Sequence, residues 1–230
     1  MLGNFDFGVI VRALGYLFLQ GMSTTVVLTA LATIGGIMLG TLLALARLSS
    51  VRVLSNVAAG YVNVMRSMPL LLVIFWFYFL VPILAGWATG ASRPVPIGGL
   101  ASALITFTLF EAAYFCEIMR AGILSIPRGQ LAAGFALGLT YPQVMGSIVL
   151  PQAFRNMLPV LFTQTIVLFQ DTSLVYVVSL TDFLGAAAKI AQRDGRVVEL
   201  YLFAAAVYFV FSFVASSLVK RIQSRVAIVR

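Results

Sequence analysis

The sequence predicts an all-α integral membrane protein with five transmembrane helices, and three observations carry that expectation. Hydrophobic residues make up 61% of the chain and charged residues only 10%, where a water-soluble domain carries roughly a quarter charged residues. Five apolar stretches are about as long as the roughly 20 residues a helix needs to cross a bilayer. Lysine and arginine collect in alternate connections between those stretches, as membrane orientation demands of short loops.

The first span covers about 24–46, where Ala32, Gly36 and Gly40 recur every four residues. Small residues at that spacing let two helix backbones approach closely, and packing inside this subunit is the expectation. Ahead of it, residues 1–21 mix aromatics with Asp6 and Arg12. They read either as a periplasmic interfacial segment, with aromatics at headgroup depth, or as a frayed apolar terminus. "MLGNFDFGVIVRALG" lacks a basic start, an apolar core and a small-residue cleavage site, so no cleaved leader is expected. The second and third spans fall at about 68–87 and 98–118. The fourth, about 157–175, is interrupted by "FQDTSL". The fifth, about 197–219, is roughly 33 Å long at 1.5 Å per residue. A transmembrane domain over 22–220 is followed by a basic tail, 221–230.

Ten basic residues fall on one side of this map, among them Arg47, Arg66, Arg120, Arg128 and Lys220. The other side holds five: Arg12, Arg93, Lys189, Arg193 and Arg196. That asymmetry predicts an external N-terminus and a cytoplasmic tail. Topology thereby accounts for the net charge of +8, and no nucleic-acid partner is needed.

The chemistry is bounded by what is missing from the sequence. It contains no histidine and a single cysteine, Cys116. Imidazole-dependent catalysis and cysteine-rich metal sites are thereby excluded, and no catalytic or metal-binding residue is expected. A phosphate-binding loop needs glycine-lysine after a glycine four residues upstream, but Lys189 and Lys220 follow alanine and valine. Energy must come from another polypeptide.

Among the ionisable residues, Glu111 lies inside the third span with apolar neighbours. A carboxylate in hydrocarbon is costly and reads as a pathway or partner residue, or else as a hydrogen-bonded helix tie. Glu117 and Arg120, three apart, are spaced for a structural ion pair. Asp171, Thr172 and Ser173 interrupt an apolar run. They read either as broken helix lining a cargo path or as the capped outer end of the fourth span.

Between the third and fourth spans runs "GQLAAGFALGLTYPQVMGSIVLP", residues 129–151. Leu131, Phe135 and Leu139 are spaced as one apolar stripe of a short helix. Ala132, Ala133 and Ala136 keep the neighbouring surface slim, Gly138 permits a break, and Pro151 suits the first turn of a new helix. A helix lying on the inner leaflet would carry several cations, and Gln130 to Pro151 carries none. Insertion into a groove on a soluble partner is the other reading.

This spacing resembles the signature loop of ATP-binding-cassette importer permeases: glutamate-alanine-alanine, three residues, glycine, nine residues, isoleucine-x-leucine-proline. Gly138 and the run Ile148, Val149, Leu150, Pro151 match, whereas Ala132 stands where the family has glutamate and Gly134 replaces an alanine. "MRSMPLLLVIFWFYFLVP", "FEAAYFCEIMRAGILSIPRGQ" and "LFQDTSLVYVVSLTDF" resemble the corresponding stretches of polar amino-acid permeases, and within that group the glutamate/aspartate importer permeases most.

The resemblance implies a type I importer permease fold in the bacterial inner membrane. It also implies an ATPase-coupling loop over 128–151, including Gly129, Gln130, Leu131, Ala132, Ala133, Phe135, Gly138, Ile148, Leu150 and Pro151. The implied partners are a second, related permease chain, two ATPase subunits that hold the ATP and Mg, and a periplasmic amino-acid-binding protein. No cofactor is expected on this chain. The alternatives are a permease for another polar amino acid and a proton-coupled carrier using Glu111.

Overall fold

The computed structural model describes residues 5–226, and all regular structure among them is helical. Residues 1–4 and 227–230, which begin the expected interfacial segment and end the basic tail, lie outside the described residues. Among the described residues, five helical runs are long and apolar enough to cross a membrane.

Helix α1, Phe7–Tyr16, passes through a π-helical turn, Leu17–Met22, into α2, Ser23–Arg47. The whole is one run of 41 residues, so residues 7–21 continue the first span as helix. Val9, Ala13 and Leu17 of this run are buried against elements from the far end of the sequence. Asp6 caps α1 by accepting the Gly8 N–H at 2.8 Å.

Where the sequence suggested only a basic connection, α3, Arg52–Ser67, forms instead. It is amphipathic, and it buries Ala58 and Val62 against α2 and α5. Pro69 stops it and starts α4, Leu70–Ala88, because proline disfavours helix in the residue before it and tolerates the first turn after it.

Helix α5, Gly99–Leu124, is the axis of the molecule and buries Phe107, Phe110, Glu111, Phe115 and Cys116. Its most extensive partner is α2. At that seam, a Cβ on Gly40 would stand 2.9 Å from both Ala112 O and Cys116 N. Ala32, Gly36 and Gly40 are all buried there, as the four-residue spacing predicted.

After α5 the chain turns through α6, Arg128–Ala136, and α7, Tyr141–Val144. A second π-helical turn, Met145–Val149, joins α7 to α8, Leu150–Asp171, which tightens into 3₁₀ geometry over Thr172–Val178. Pro151 sits in the first turn of α8, as expected, but α8 is part of a 38-residue run, Tyr141–Val178. The start lies ten residues earlier. There the Thr140–Gln143 capping box and Pro142 in the first turn supply the signal.

Helix α9, Phe183–Asp194, is a second element the hydropathy map omitted. It buries Phe183, Ala186, Ala187, Ile190 and Ala191 beneath α1 and α10, Val197–Val226.

Candidate functional site

The connection between α5 and α8 folds into a small apolar knot. Leu131, Leu139 and Ile148 lean on Ile126, Val144, Val149 and Ala153. Gly134 is required here, since a Cβ on it would meet Val144 Cγ2 at 2.8 Å and Ile148 Cδ1 at 3.0 Å. Gly138 adopts φ +79°, and the Leu139 N–H donates to Gly134 O at 3.2 Å, closing α6 in a left-handed cap.

This reversal splits the predicted stripe. Leu131 and Leu139 turn inward, while Phe135 is 46% and Leu137 79% exposed. Gly129, Gln130, Ala132, Ala133 and Ala136 share the exposed surface, and Leu150 and Pro151 are exposed beyond it. Leu137 escaped the sequence reading because an i, i+4 pattern carried through Gly138 assigns the outward place to Leu139. The cue for correcting it is Gly138 itself, which ends the helix before Leu139.

At the same end of the bundle, Glu117 is the hub of an ionic cluster drawn from three helices. Arg120 donates to Glu117 Oε2 from Nη2 at 2.7 Å and from Nε at 3.2 Å. Arg47 of α2 donates to Glu117 Oε1, and Arg66 of α3 stands 3.7 Å from the same oxygen. One carboxylate thus ties α2, α3 and α5 together, whereas the sequence foresaw only the pair within α5. Beside it, a cavity of about 380 Å³ opens between α5 and α8, lined by Glu117, Ile118, Gly122, Ser125, Asn156 and Met157 among others.

Glu111 lies deeper on α5 and is fully buried. The Gln164 amide of α8 reaches its two oxygens at 3.0 and 3.3 Å, so the carboxyl ties the two helices. The Arg66 guanidinium sits 5.5 Å from the centre of the Tyr114 ring, one turn away. Asp171 is within electrostatic reach of Glu111. Its side chain makes no capping bond, and the helix continues past it as 3₁₀ instead of breaking. Thr172 is buried and donates to Phe169 O at 2.7 Å, while Ser173 is half-buried. The structure thus brings Glu111 and Asp171 to one region and leaves residues 128–151 at the basic end.

Outside the spans, Asp182 caps α9, accepting the Leu184 N–H at 3.0 Å and the Gly185 N–H at 2.8 Å. The Tyr208 hydroxyl approaches the same carboxyl at 3.3 Å. Burial nevertheless pushes the Asp182 carboxyl up to about 6, from an ordinary value of 3.8.

Five helical runs of membrane-spanning length and hydropathy, closed around buried polar side chains, make this an integral membrane protein. A family model described as the inner membrane component of binding-protein-dependent transport systems matches residues 36–228. The chain belongs to that family. The glutamate/aspartate import permease protein GltK of Escherichia coli O6:H1 is 52% identical over 224 residues, which cover 97% of this chain and 99% of GltK. The L-cystine transport system permease protein TcyB of Bacillus subtilis is 35% identical, over 89% of this chain and 84% of its own.

Among solved structures, an amino acid ABC transporter with histidines matches with a TM-score of 0.86 at 31% identity, covering 96% of this chain and 98% of its own. The MetNI methionine ABC transporter in an inward-facing conformation shares the fold, with a TM-score of 0.71 at 20% identity over 94% of this chain and 98% of its own. Membership makes the chain a translocation subunit of the inner membrane, with ATP hydrolysis on a separate subunit. An ion-driven carrier built on Glu111 is set aside accordingly.

Proposed function

We propose that the chain is the permease subunit of an ATP-driven importer of glutamate and aspartate, coupled to its ATPase through residues 128–151. The observation that carries the cargo is the 52% identity to a glutamate/aspartate import permease across nearly the full length of both chains. The remaining assembly is read from the family: a second, related permease chain, two ATPase subunits binding ATP and Mg, and a periplasmic binding protein. The basic end faces the cytoplasm, as the ten-to-five split of basic residues requires.

Coupling is supported by the exposed ridge of Phe135 and Leu137, flanked by Ala132, Ala133 and Ala136. Two large apolar side chains on a slim, uncharged surface suit a groove on a partner. The knot beneath the ridge is rooted in the run Tyr141–Val178, so a pull on the ridge acts on the fourth span directly. ATP binding closes the ATPase pair, the ridges follow, and the permease halves rock to open the path outward. Cargo carboxylates are received by hydroxyls, amides or arginine, since Glu111 and Asp171 repel them.

The test is the ATPase activity of the reconstituted complex, stimulated by the loaded binding protein across a panel of amino acids. Glutamate and aspartate are expected to stimulate it, and stimulation by cystine or glutamine alone would overturn the cargo. Leu137→Asp is expected to leave assembly in the membrane intact and to abolish the stimulation. Full stimulation in that variant and in Phe135→Asp would overturn the coupling surface.

A further inference from the structure

The end of the bundle remote from Glu117 carries a cleft of about 320 Å³ between α1 and α9, lined by Arg12, Ala13, Tyr16, Lys189, Ile190 and Arg193. Ala13 and Ile190 are core residues and form its apolar floor. Arg12 supplies one wall from α1, and Lys189 and Arg193, one turn apart on α9, supply the other. Among the described residues, no carboxylate lines the space. Asp6 and Asp194 stand at its rim, at 3.4 Å from Arg12 and 2.7 Å from Arg193. Lys189 meets the neutral Thr181 hydroxyl, and none of the described ion pairs includes it. Three lining cations against two rim carboxylates leave one positive charge in excess.

Depth identifies what would answer that charge. Tyr16 lies in the cleft, and Trp87 at the end of α4 and Tyr201 at the start of α10 are exposed at the same end of the bundle. Exposed aromatic residues of this kind mark the level of lipid headgroups. Leu19 follows Tyr16 by three residues along the same helical run, toward the bilayer centre, and is 79% exposed. The surface therefore passes, over two turns, from basic to phenolic to bare leucine. A small soluble anion would use only the first part of that sequence. A phospholipid with a net negative headgroup uses all of it, and the ammonium of a zwitterionic headgroup would be repelled by Lys189.

We propose that this cleft binds the phosphodiester headgroup of an anionic phospholipid such as phosphatidylglycerol, with an acyl chain against Leu19. The lipid would bridge α1 to α9, two elements whose mutual burial holds the start of the first span to the connection between the fourth and fifth. The inference is independent of which amino acid is carried.

The experiment is native mass spectrometry of the assembled transporter, delipidated and then titrated with phosphatidylglycerol or phosphatidylcholine. Each basic group near an anionic headgroup is worth about fivefold in affinity. Lys189→Gln combined with Arg193→Gln is therefore expected to weaken phosphatidylglycerol binding by roughly 25-fold while leaving phosphatidylcholine unchanged. Lys220→Gln with Arg221→Gln, at the other end, is expected to leave this lipid in place. Leu19→Gln keeps every charge and is expected to weaken the lipid alone, a second measurement should the double variant fail to assemble. Equal retention of the two lipids by the parent complex would overturn the proposal. Displacement by glycerol phosphate or free glutamate at matched concentration would also overturn it, since the cleft would then be a site for a soluble oxyanion.

Discussion

Replacing Gly40 by alanine is the smallest change that tests the α2–α5 seam. The new methyl would stand 2.8 Å from Phe115 Cβ and 2.9 Å from both Ala112 O and Cys116 N. Carbon contacts relax near 3.5–4.0 Å, so α2 must retreat by roughly 0.7 Å. Two of the three obstacles are backbone atoms of α5 and cannot rotate away, so the whole seam loosens. Overpacking of this kind costs about 1–3 kcal/mol. At about 2–4 °C per kcal/mol for a chain of this size, a loss of 2 kcal/mol lowers the unfolding midpoint by roughly 4–8 °C. Cys116 is the single cysteine and is fully buried at this seam, so a thiol-reactive dye reports the opening directly. Circular dichroism on the same sample gives the global midpoint. Gly60 is the control, because a methyl there meets nothing within 4 Å, and alanine in α3 is worth up to about 1 kcal/mol of added stability. If Gly40→Ala melts with the parent by both probes, the close-packed seam is not what holds α2 to α5.

The Glu117 hub ranks its own substitutions. Glu117→Gln strands three guanidinium groups and is expected to cost about 3 kcal/mol. Arg66→Gln, removing a 3.7 Å contact of an arginine that is 42% exposed, should cost under about 1 kcal/mol. Equal midpoints for the two variants would contradict the hub. For Asp182, burial raises the folded-state carboxyl above its ordinary value, so the protonated form favours folding. Its contribution is full below about pH 4 and is lost as the pH rises through about 6. Asp182→Asn keeps an acceptor for the α9 cap and cannot ionise. It should match the parent at about pH 3 and exceed it at pH 7.5, by on the order of 2–3 kcal/mol. A parent as stable as the variant at pH 7.5 would place the Asp182 carboxyl near its ordinary value.

The spans were legible because crossing a bilayer is a property of one helix at a time: length and hydropathy suffice. What escaped depended on partners. Helix α9 presents Ala186, Ala187, Ala188 and Ala191 to the core, residues too small to register as a hydrophobic segment, and it is buried chiefly because the turn Leu17–Met22 and α10 close over it. Helix α3 is apolar on one face alone, so its average hides it. Arg47 and Arg66 were read only as markers of membrane side. Nothing local marks the second role, since Arg47 meets Glu117 across 70 residues of sequence.

The connection between α5 and α8 shows how one residue decides between two surfaces. Counting by fours from Leu131 through Phe135 puts Leu139 on the outward stripe, and it does so only if the helix survives Gly138. With φ at +79°, Gly138 turns the chain back and Leu139 folds inward against Val144 and Val149. Leu137 is then left 79% exposed at the tip. Restoring helix at that point, with Gly138→Ala, should strain the cap and rotate Leu139 toward the position Leu137 now holds. The apolar character of the segment is therefore a poor guide to what a partner would feel. The handedness of a single glycine sets which leucine is offered, and any groove that receives this ridge must be shaped to Phe135 and Leu137 at the end of α6.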